Sequence, residues 1–399
     1  MIATRMMQAA AGRGGIVYLL RDEFTADEAA PKASPAAAEP GPGTRTLTQT
    51  DGQFSSSAGR LVFPAQASPT WGDLSIRYGA VTRAAGVMFA ASVNLSTYSN
   101  LGIGFGRTTT PGSPSTWFDI GLDVSTGALL ARYVGTQIAI GPTLVTGTTY
   151  TFFIVLSATG GYSFIQGGVY TYPTLIWIIT TNNTSTLYPA MVNFSSVGSA
   201  DDFIVPQDTW LPTPLAYDTF TRSDGALGNT ETTGPDAQAV AARAWTDQVG
   251  TWGVATNKAQ AAALSGGIAQ ATAAGVSADV VAQVGVTRSG GVGGLTLRYT
   301  DANNYLRATH NGTNCLLEQV VSGTPTTLRT AAATYSAGAL IRVILQGTTG
   351  WLFYNGASVG ASFTVPSSAA TAHGLYTSDT SNTLDNFLVM ARGTGGEYV

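Results

Sequence analysis

Two kinds of residue grouping in this chain have the types and spacing that ligand chemistry needs. The first sets an aromatic ring beside an acid or amide: Trp71 with Asp73, Trp117 with Asp119, and Tyr305 with Asn303. A sugar stacks its apolar face on a ring while carboxylates and amides bond its hydroxyls, so these pairs fit carbohydrate binding by type. Packing inside a sheet protein is the commoner use of any single one. The second grouping collects oxygen-bearing side chains: Asp301, Asn303 and Asn304, then Asp379, Asn382 and Asp385, with Asp119 and Asp123 as a sparser case. Ca²⁺ takes about six to eight oxygen ligands, which makes it the one cofactor to test for here. Asp and Asn also build turns by bonding their own backbone, and that is the favoured reading of these clusters.

The remaining inventory argues against catalysis. The chain has one cysteine and two histidines, so it holds no intrachain disulfide and no multi-cysteine zinc site. His310 lies close to Cys315 in sequence, but no orienting pattern accompanies them, and Cys315 reads as a small core residue. Gly102, Gly104 and Gly106 alternate with Ile103 and Phe105; a dinucleotide loop must instead open a helix, so these glycines are assigned to one face of a strand. The glutamates are Glu23, Glu28, Glu39, Glu231, Glu318 and Glu397, too dispersed in sequence to form a clustered acid pair. A non-enzymatic role is expected.

The elements that must position these residues read as strands. Of 399 residues 48 are glycine and only 11% are charged, with a net charge of −4, which excludes a broad nucleic-acid footprint and a long coiled coil. Apolar runs such as 152–156 and 175–179, with Trp177 buried in the latter, are strand-sized, so neither a membrane span nor a secretory leader is expected. Alternation at 101–105 and 295–299, broken by frequent turn clusters, predicts an all-β sandwich or barrel. The alanine-rich stretch 237–244 is the one segment whose composition would also suit a helix.

An internal repeat of domain size organises the chain. Asp22-Glu-Phe24-Thr recurs as Asp218-Thr-Phe220-Thr, Phe54 as Trp252, the hairpin from Tyr150 to Gly167 as that from Leu340 to Gly356, and Asp201-Asp-Phe203 as Asp385-Asn-Phe387. The expected layout is an N-terminal attachment arm at 1–19 carrying Arg5 and Arg13, a first domain at 20–206, a proline-rich linker at 207–214, a second domain at 215–392 and a tail at 393–399. The first and last strands of each copy are expected to pair.

The Asp-x-Phe-Thr opening, the Gly-x-Trp strand, the segment Tyr299–Tyr305 and the Asp-Asn-Phe ending resemble concanavalin A-like, laminin-G-like jelly-roll modules. The stretches 38–43 and 67–72 are similar to a variant found in phage structural proteins. The resemblance covers roughly 20–391 and implies two tandem jelly-roll β-sandwiches. It further implies a virion protein of a tail, fibre, baseplate or capsid appendage, assembled in a host cytoplasm. The implied partners are other virion subunits, with a homo-oligomer expected (a trimer if it is a fibre), and host-surface glycan. A lectin-like module pair of a bacterial surface protein is the alternative. The Glu-x-Asp-x-Glu cluster of the sandwich's glucanase members has no counterpart.

Overall fold

The computed structural model describes residues 18–22, 24, 36–37, 44–48, 54–65, 74–110, 112–113, 117–125, 127–133, 136–139, 143–158, 160–179, 186–206, 211–273, 275 and 277–392. Trp71, Asp73, most of the arm at 1–19, residues 207–210 of the linker and the tail lie outside them. The chain is all-β and forms two tandem β-sandwich domains, dividing between Leu211 and Pro212. Among the described residues no helix is long and apolar enough to cross a membrane.

Unit 1 has an eight-stranded and a nine-stranded sheet. The first runs, edge to edge, Tyr170–Ile179, Gly161–Gly167, Thr149–Leu156, Met88–Thr97, Val197–Pro206, Arg60–Phe63 and Ser55–Ser57, with Tyr18–Asp22 also on Val197–Pro206. The second runs Thr136–Ala139, Ala128–Tyr133, Phe118–Ser125, Asn100–Gly106, Thr186–Asn193, Leu74–Tyr78, Thr44–Thr48 and Ala36–Ala37, with Val81–Thr82 also on Thr186–Asn193.

Unit 2 repeats this order in a ten-stranded and a seven-stranded sheet. The ten-stranded one runs Gly225–Ala226, Thr251–Ala255, Lys258–Ala263, Thr383–Ala391, Val280–Thr287, Ala339–Gln346, Thr349–Tyr354 and Ala357–Ser358, with Ala216–Asp218 on Thr383–Ala391 and Phe363–Thr364 on Thr349–Tyr354. The seven-stranded one runs Trp245–Val249, Ala269–Ala273, Ala372–Thr377, Gly293–Asp301, Asn304–His310, Asn314–Val321 and Thr324–Ala332.

The repeated sequence signals mark the same device in each unit. Asp22 pairs with Phe203 across the first and last strands, and Asp218 pairs with Phe387. Each aspartate then accepts the N–H of the phenylalanine two residues on, at 3.1 Å for Phe24 and 2.8 Å for Phe220. That bond holds Phe24 and Phe220 at φ of 51° and 55°, a region an L-residue enters only when its surroundings compel it. The bent backbone turns Phe24 edge-on to Phe203 (5.4 Å between centroids), while Trp245 fills the space between Phe220 and Phe387 at 5.8 and 5.0 Å. Hairpin turns repeat too: Ala58-Gly59 and Thr256-Asn257 both carry positive φ at each residue, the twist that two-residue hairpins require.

Inward-facing residues on alternate positions make the core, as in Leu295, Leu297, Ala308, Leu317 and Leu375 facing Val284, Val343 and Val389. Trp177 is buried. The stretch 237–244 forms no helix. It is extended, with isolated bridges of Thr233 to Ala239 and Asn229 to Ala244, and Ala237 has φ of 63°. Alanine propensity yields there to tertiary pairing.

One buried titratable group gives the fold a pH dependence. The His373 ring is fully buried, accepts Arg298 N–H on Nδ1 (3.3 Å) and donates from Nε2 to Ser277 O (2.8 Å). This bonding needs a neutral ring. Burial, together with the nearby Arg298 charge, lowers its pKa from 6.5 to about 4. The unfolded chain therefore takes up the proton first, and stability falls as pH drops from 6.5 towards 4, by roughly 3 kcal/mol. His310, also lowered by burial, adds in the same direction. Urea unfolding across this window should show that slope in the native chain and a shallower one in His373→Gln. Equal slopes would contradict the assignment.

Candidate functional site

The outward face of the seven-stranded sheet in unit 2 gathers the polar and aromatic chemistry. Strand periodicity sends Ala269, Ala271, Leu295, Leu297, Ala308, Leu317 and Leu375 to the core, so Gln270, Thr272, Thr296, Arg307, Glu318 and Tyr376 point the other way. Register lines them up: Glu318 opposes Arg307, Arg307 opposes Thr296, and Tyr376 opposes Gln270. Tyr305 and Tyr299 extend the face towards the turn at 301–304. The three tyrosines form a strip, with Tyr305 6.1 Å from Tyr299 and 6.3 Å from Tyr376, packed with Val320. Tyr299 keeps 9% of its surface exposed, Tyr305 6% and Tyr376 1%, so the rings lie at the floor of the face.

Arg307 ties the strip together. Its Nε donates to Glu318 Oε2 at 2.8 Å, its Nη1 donates to Tyr376 OH at 2.5 Å, and its guanidinium lies 5.0 Å from the Tyr376 ring centre. Burial and neighbouring acidic groups push the Tyr376 phenol up to about 12, so it stays protonated at neutral pH. Thr296 Oγ1 donates to Leu375 O at 3.2 Å and therefore accepts Gln270 Nε2, also at 3.2 Å. This fixes the orientation of the Gln270 amide. Gln270 Oε1 is then fully buried with no hydrogen-bond partner, an arrangement that costs free energy unless something else fills the role. Beside Tyr305, a cleft of about 180 Å³ opens between Arg298, Asn304, Gln319 and the loop at Pro366–Ser368.

The oxygen-rich clusters are turn chemistry. Asp301 Oδ1 accepts Asn303 N–H at 2.8 Å and Asn304 Nδ2 at 2.9 Å, which holds its carboxyl below the usual range. Asn304 Oδ1 in turn accepts Ser322 N–H. Asn382 is fully buried and spends its amide on the loop at 289–292: Oδ1 accepts Ser289 and Gly290 N–H, and Nδ2 donates to Gly290 O, Val292 O and Thr377 Oγ1. Asp379 caps Ser381 N–H. Asp385 lies in the ten-stranded sheet, where it accepts Asn386 N–H and stands 3.9 Å from Lys258. Among the described residues no three His, Cys, Asp or Glu side chains converge as a metal site. Cys315 is buried with its thiol pushed up to about 12, and His310 uses Nδ1 on Gly312 N–H and Nε2 on Ala333 O, so neither is available to the other.

The corresponding face of unit 1 is built differently. Trp117 immediately precedes Phe118–Ser125, the strand that matches Asn304–His310, and the chain segment leading into it is longer than the tight turn at the same place in unit 2. Trp117 is about as closed off as the tyrosines of unit 2. It is 3% exposed, stacks on Phe118 at 5.4 Å and donates from Nε1 to Thr108 O at 2.9 Å. It lies against Gly106, where a Cβ would stand 2.6 Å from the indole, while Phe118 lies as close to Gly121. The alternating glycines at 102–106 do line one strand face, and at Gly106 their smallness admits a ring. Asp119 is buried against Arg83 at 2.7 Å, and Asp123 is paired with Arg132. Among the described residues of the three aromatic pairs, Tyr305 borders an open cleft, together with Asn304, the neighbour of Asn303. No motif in the sequence marks Tyr376, Gln270 or Arg307, although Ala-Gln-Ala-Thr-Ala at 269–273 shows the alternation that places Gln270 outward.

No protein-family model matches the chain, and no curated protein matches it. Solved structures do. The carbohydrate binding module CBM66 from Bacillus subtilis is similar to 37% of this chain over 95% of its own length, at 17% identity and a TM-score of 0.34. The mouse laminin alpha1 domains LG4-5 match 89% of this chain over 92% of theirs, at 10% identity and a TM-score of 0.21. A GlcNAcα1-4Gal-releasing endo-β-galactosidase from Clostridium perfringens matches 94% over 97%, at 8% identity and a TM-score of 0.34.

Proposed function

We propose that unit 2 binds carbohydrate through the outward face of its seven-stranded sheet, and that the chain is a tandem β-sandwich binding protein rather than a catalyst. The observation that carries this is the tyrosine strip set beside the Arg307–Glu318 pair. Aromatic rings supply stacking surface, and the polar groups around them supply directional bonds to hydroxyls. Gln270 Oε1 lies closed off beneath this face, so the bonds offered to a ligand come from the partly exposed Arg307 and Glu318. Glu318 is held by Arg307, which supports binding over proton transfer. The virion setting expected from the resemblance draws on 38–43 and 67–72, which lie outside the described residues, and the binding reading does not depend on it.

The test is a glycan array probed with the full chain, with and without EDTA. Binding is expected in both conditions, because the oxygens of Asp301 are already engaged by its own turn. An empty array would overturn the reading, and release of reducing sugar from a bound glycan would overturn the non-catalytic part.

A further inference from the structure

We infer that the ligand of this face is an uncharged, polyhydroxylated glycan and that Glu318 is the residue that excludes acidic ones. This rests on the carbohydrate-binding reading and narrows its ligand class. Arg307 is the cation of the face: its charge is paired with Glu318, to which its Nε donates, and its Nη1 donates to Tyr376 OH. A uronate or sulfate arriving there would compete with a carboxylate held at 2.8 Å and gain no free positive charge.

The acceptor that the pair leaves within reach is Glu318 Oε1: Glu318 engages Arg307 through Oε2, leaving Oε1 outside the pair, and its side chain keeps 16% of its surface exposed. Acceptors are matched by hydroxyl donors and repel carboxylates. Asp301, exposed at the end of the same strands, adds a second negative charge, and Arg298 nearby is spent on Asp279 and on the carbonyls of Ala278, Gly347 and Pro366. The aromatic floor suits the apolar faces of neutral sugar rings.

The experiment titrates the full chain with two sets of oligosaccharide probes: neutral glucans, galactans, mannans and xylans, and uronate-bearing or sulfated chains such as alginate and heparin fragments. The expected result is binding confined to the neutral set, with an affinity that stays flat between low and high salt. Glu318→Gln should narrow the gap, raising affinity for uronate probes relative to neutral ones about tenfold. Glu318→Asp keeps the charge and should keep the exclusion, which separates a charge effect from lost packing. Preference of the native chain for acidic probes, or an affinity that falls steeply with salt, would overturn this inference and leave carbohydrate binding standing. An unchanged preference in Glu318→Gln would overturn the role of Glu318. Failure of both probe sets would overturn the binding reading itself.

Discussion

Tyr305→Ala is expected to weaken oligosaccharide binding by about 2 kcal/mol, a factor of about thirty, while leaving unit 1 untouched. Tyr305 is the middle ring of the strip, between Tyr299 and Tyr376, and it also borders the cleft at Asn304. Its removal takes away stacking area and lets the flanking rings lose their packing partner. Because Tyr305 is largely buried, truncation also costs fold stability, about 3 kcal/mol or more by analogy with other large-to-small changes. Tyr305→Phe separates the two effects: it keeps the ring and the packing, and removes only the phenol that lies near Arg307 and Tyr376. Calorimetric titration should show a strong loss for Ala and a small one for Phe. Trp117→Phe, on the matching face of unit 1, should bind as the native chain does. A Tyr305→Ala protein that stays folded and binds normally would place the ligand elsewhere.

Asp218→Ala should be the most destabilising single change outside the aromatic core, at about 3–5 kcal/mol. One fully buried carboxylate serves four donors: Phe220 N–H at 2.8 Å, Arg222 Nη1 and Nη2 at 2.7 and 2.9 Å, and Trp245 Nε1 at 2.8 Å. Alanine leaves the arginine charge and the indole N–H without their acceptor and removes the bond that holds Phe220 at positive φ. The loss propagates, since Trp245 bridges Phe220 to Phe387 and thereby closes the first strand of unit 2 on its last. Equilibrium urea unfolding followed by tryptophan fluorescence measures it. A loss below about 1 kcal/mol would mean that the carboxylate is not the hub its geometry indicates.

The architecture was legible in the sequence because its markers are local. An aspartate two residues before a phenylalanine, and an Asp-Asp or Asp-Asn step before the closing phenylalanine, encode backbone turns that depend on neighbours in the chain. They repeat because the strand order repeats. Alternation at 101–106 likewise located the glycine face. The ligand face was only partly legible, since it is assembled from strands spanning 269 to 377 whose adjacency no local pattern declares. Asn303 and Tyr305 were visible because a tight turn joins them; Tyr376 and Gln270 meet them only through the register of four strands. Trp117 was visible beside its acid, but the packing that closes it in was not: Gly106 leaves room for the indole to lie on its own sheet. Asp379, Asn382 and Asp385 share a short stretch of chain, yet a turn and a strand carry them to different partners.

The most direct test of carbohydrate binding on this face is a hydroxyl-radical footprint read by peptide mass spectrometry, with and without a saturating neutral oligosaccharide. The account predicts that oxidation of Tyr299 and Tyr305 falls when ligand is present, while Tyr98 and Tyr188 in unit 1 are unchanged. Protection confined to unit 1, or ligand binding with no protection at Tyr299 and Tyr305, would contradict it.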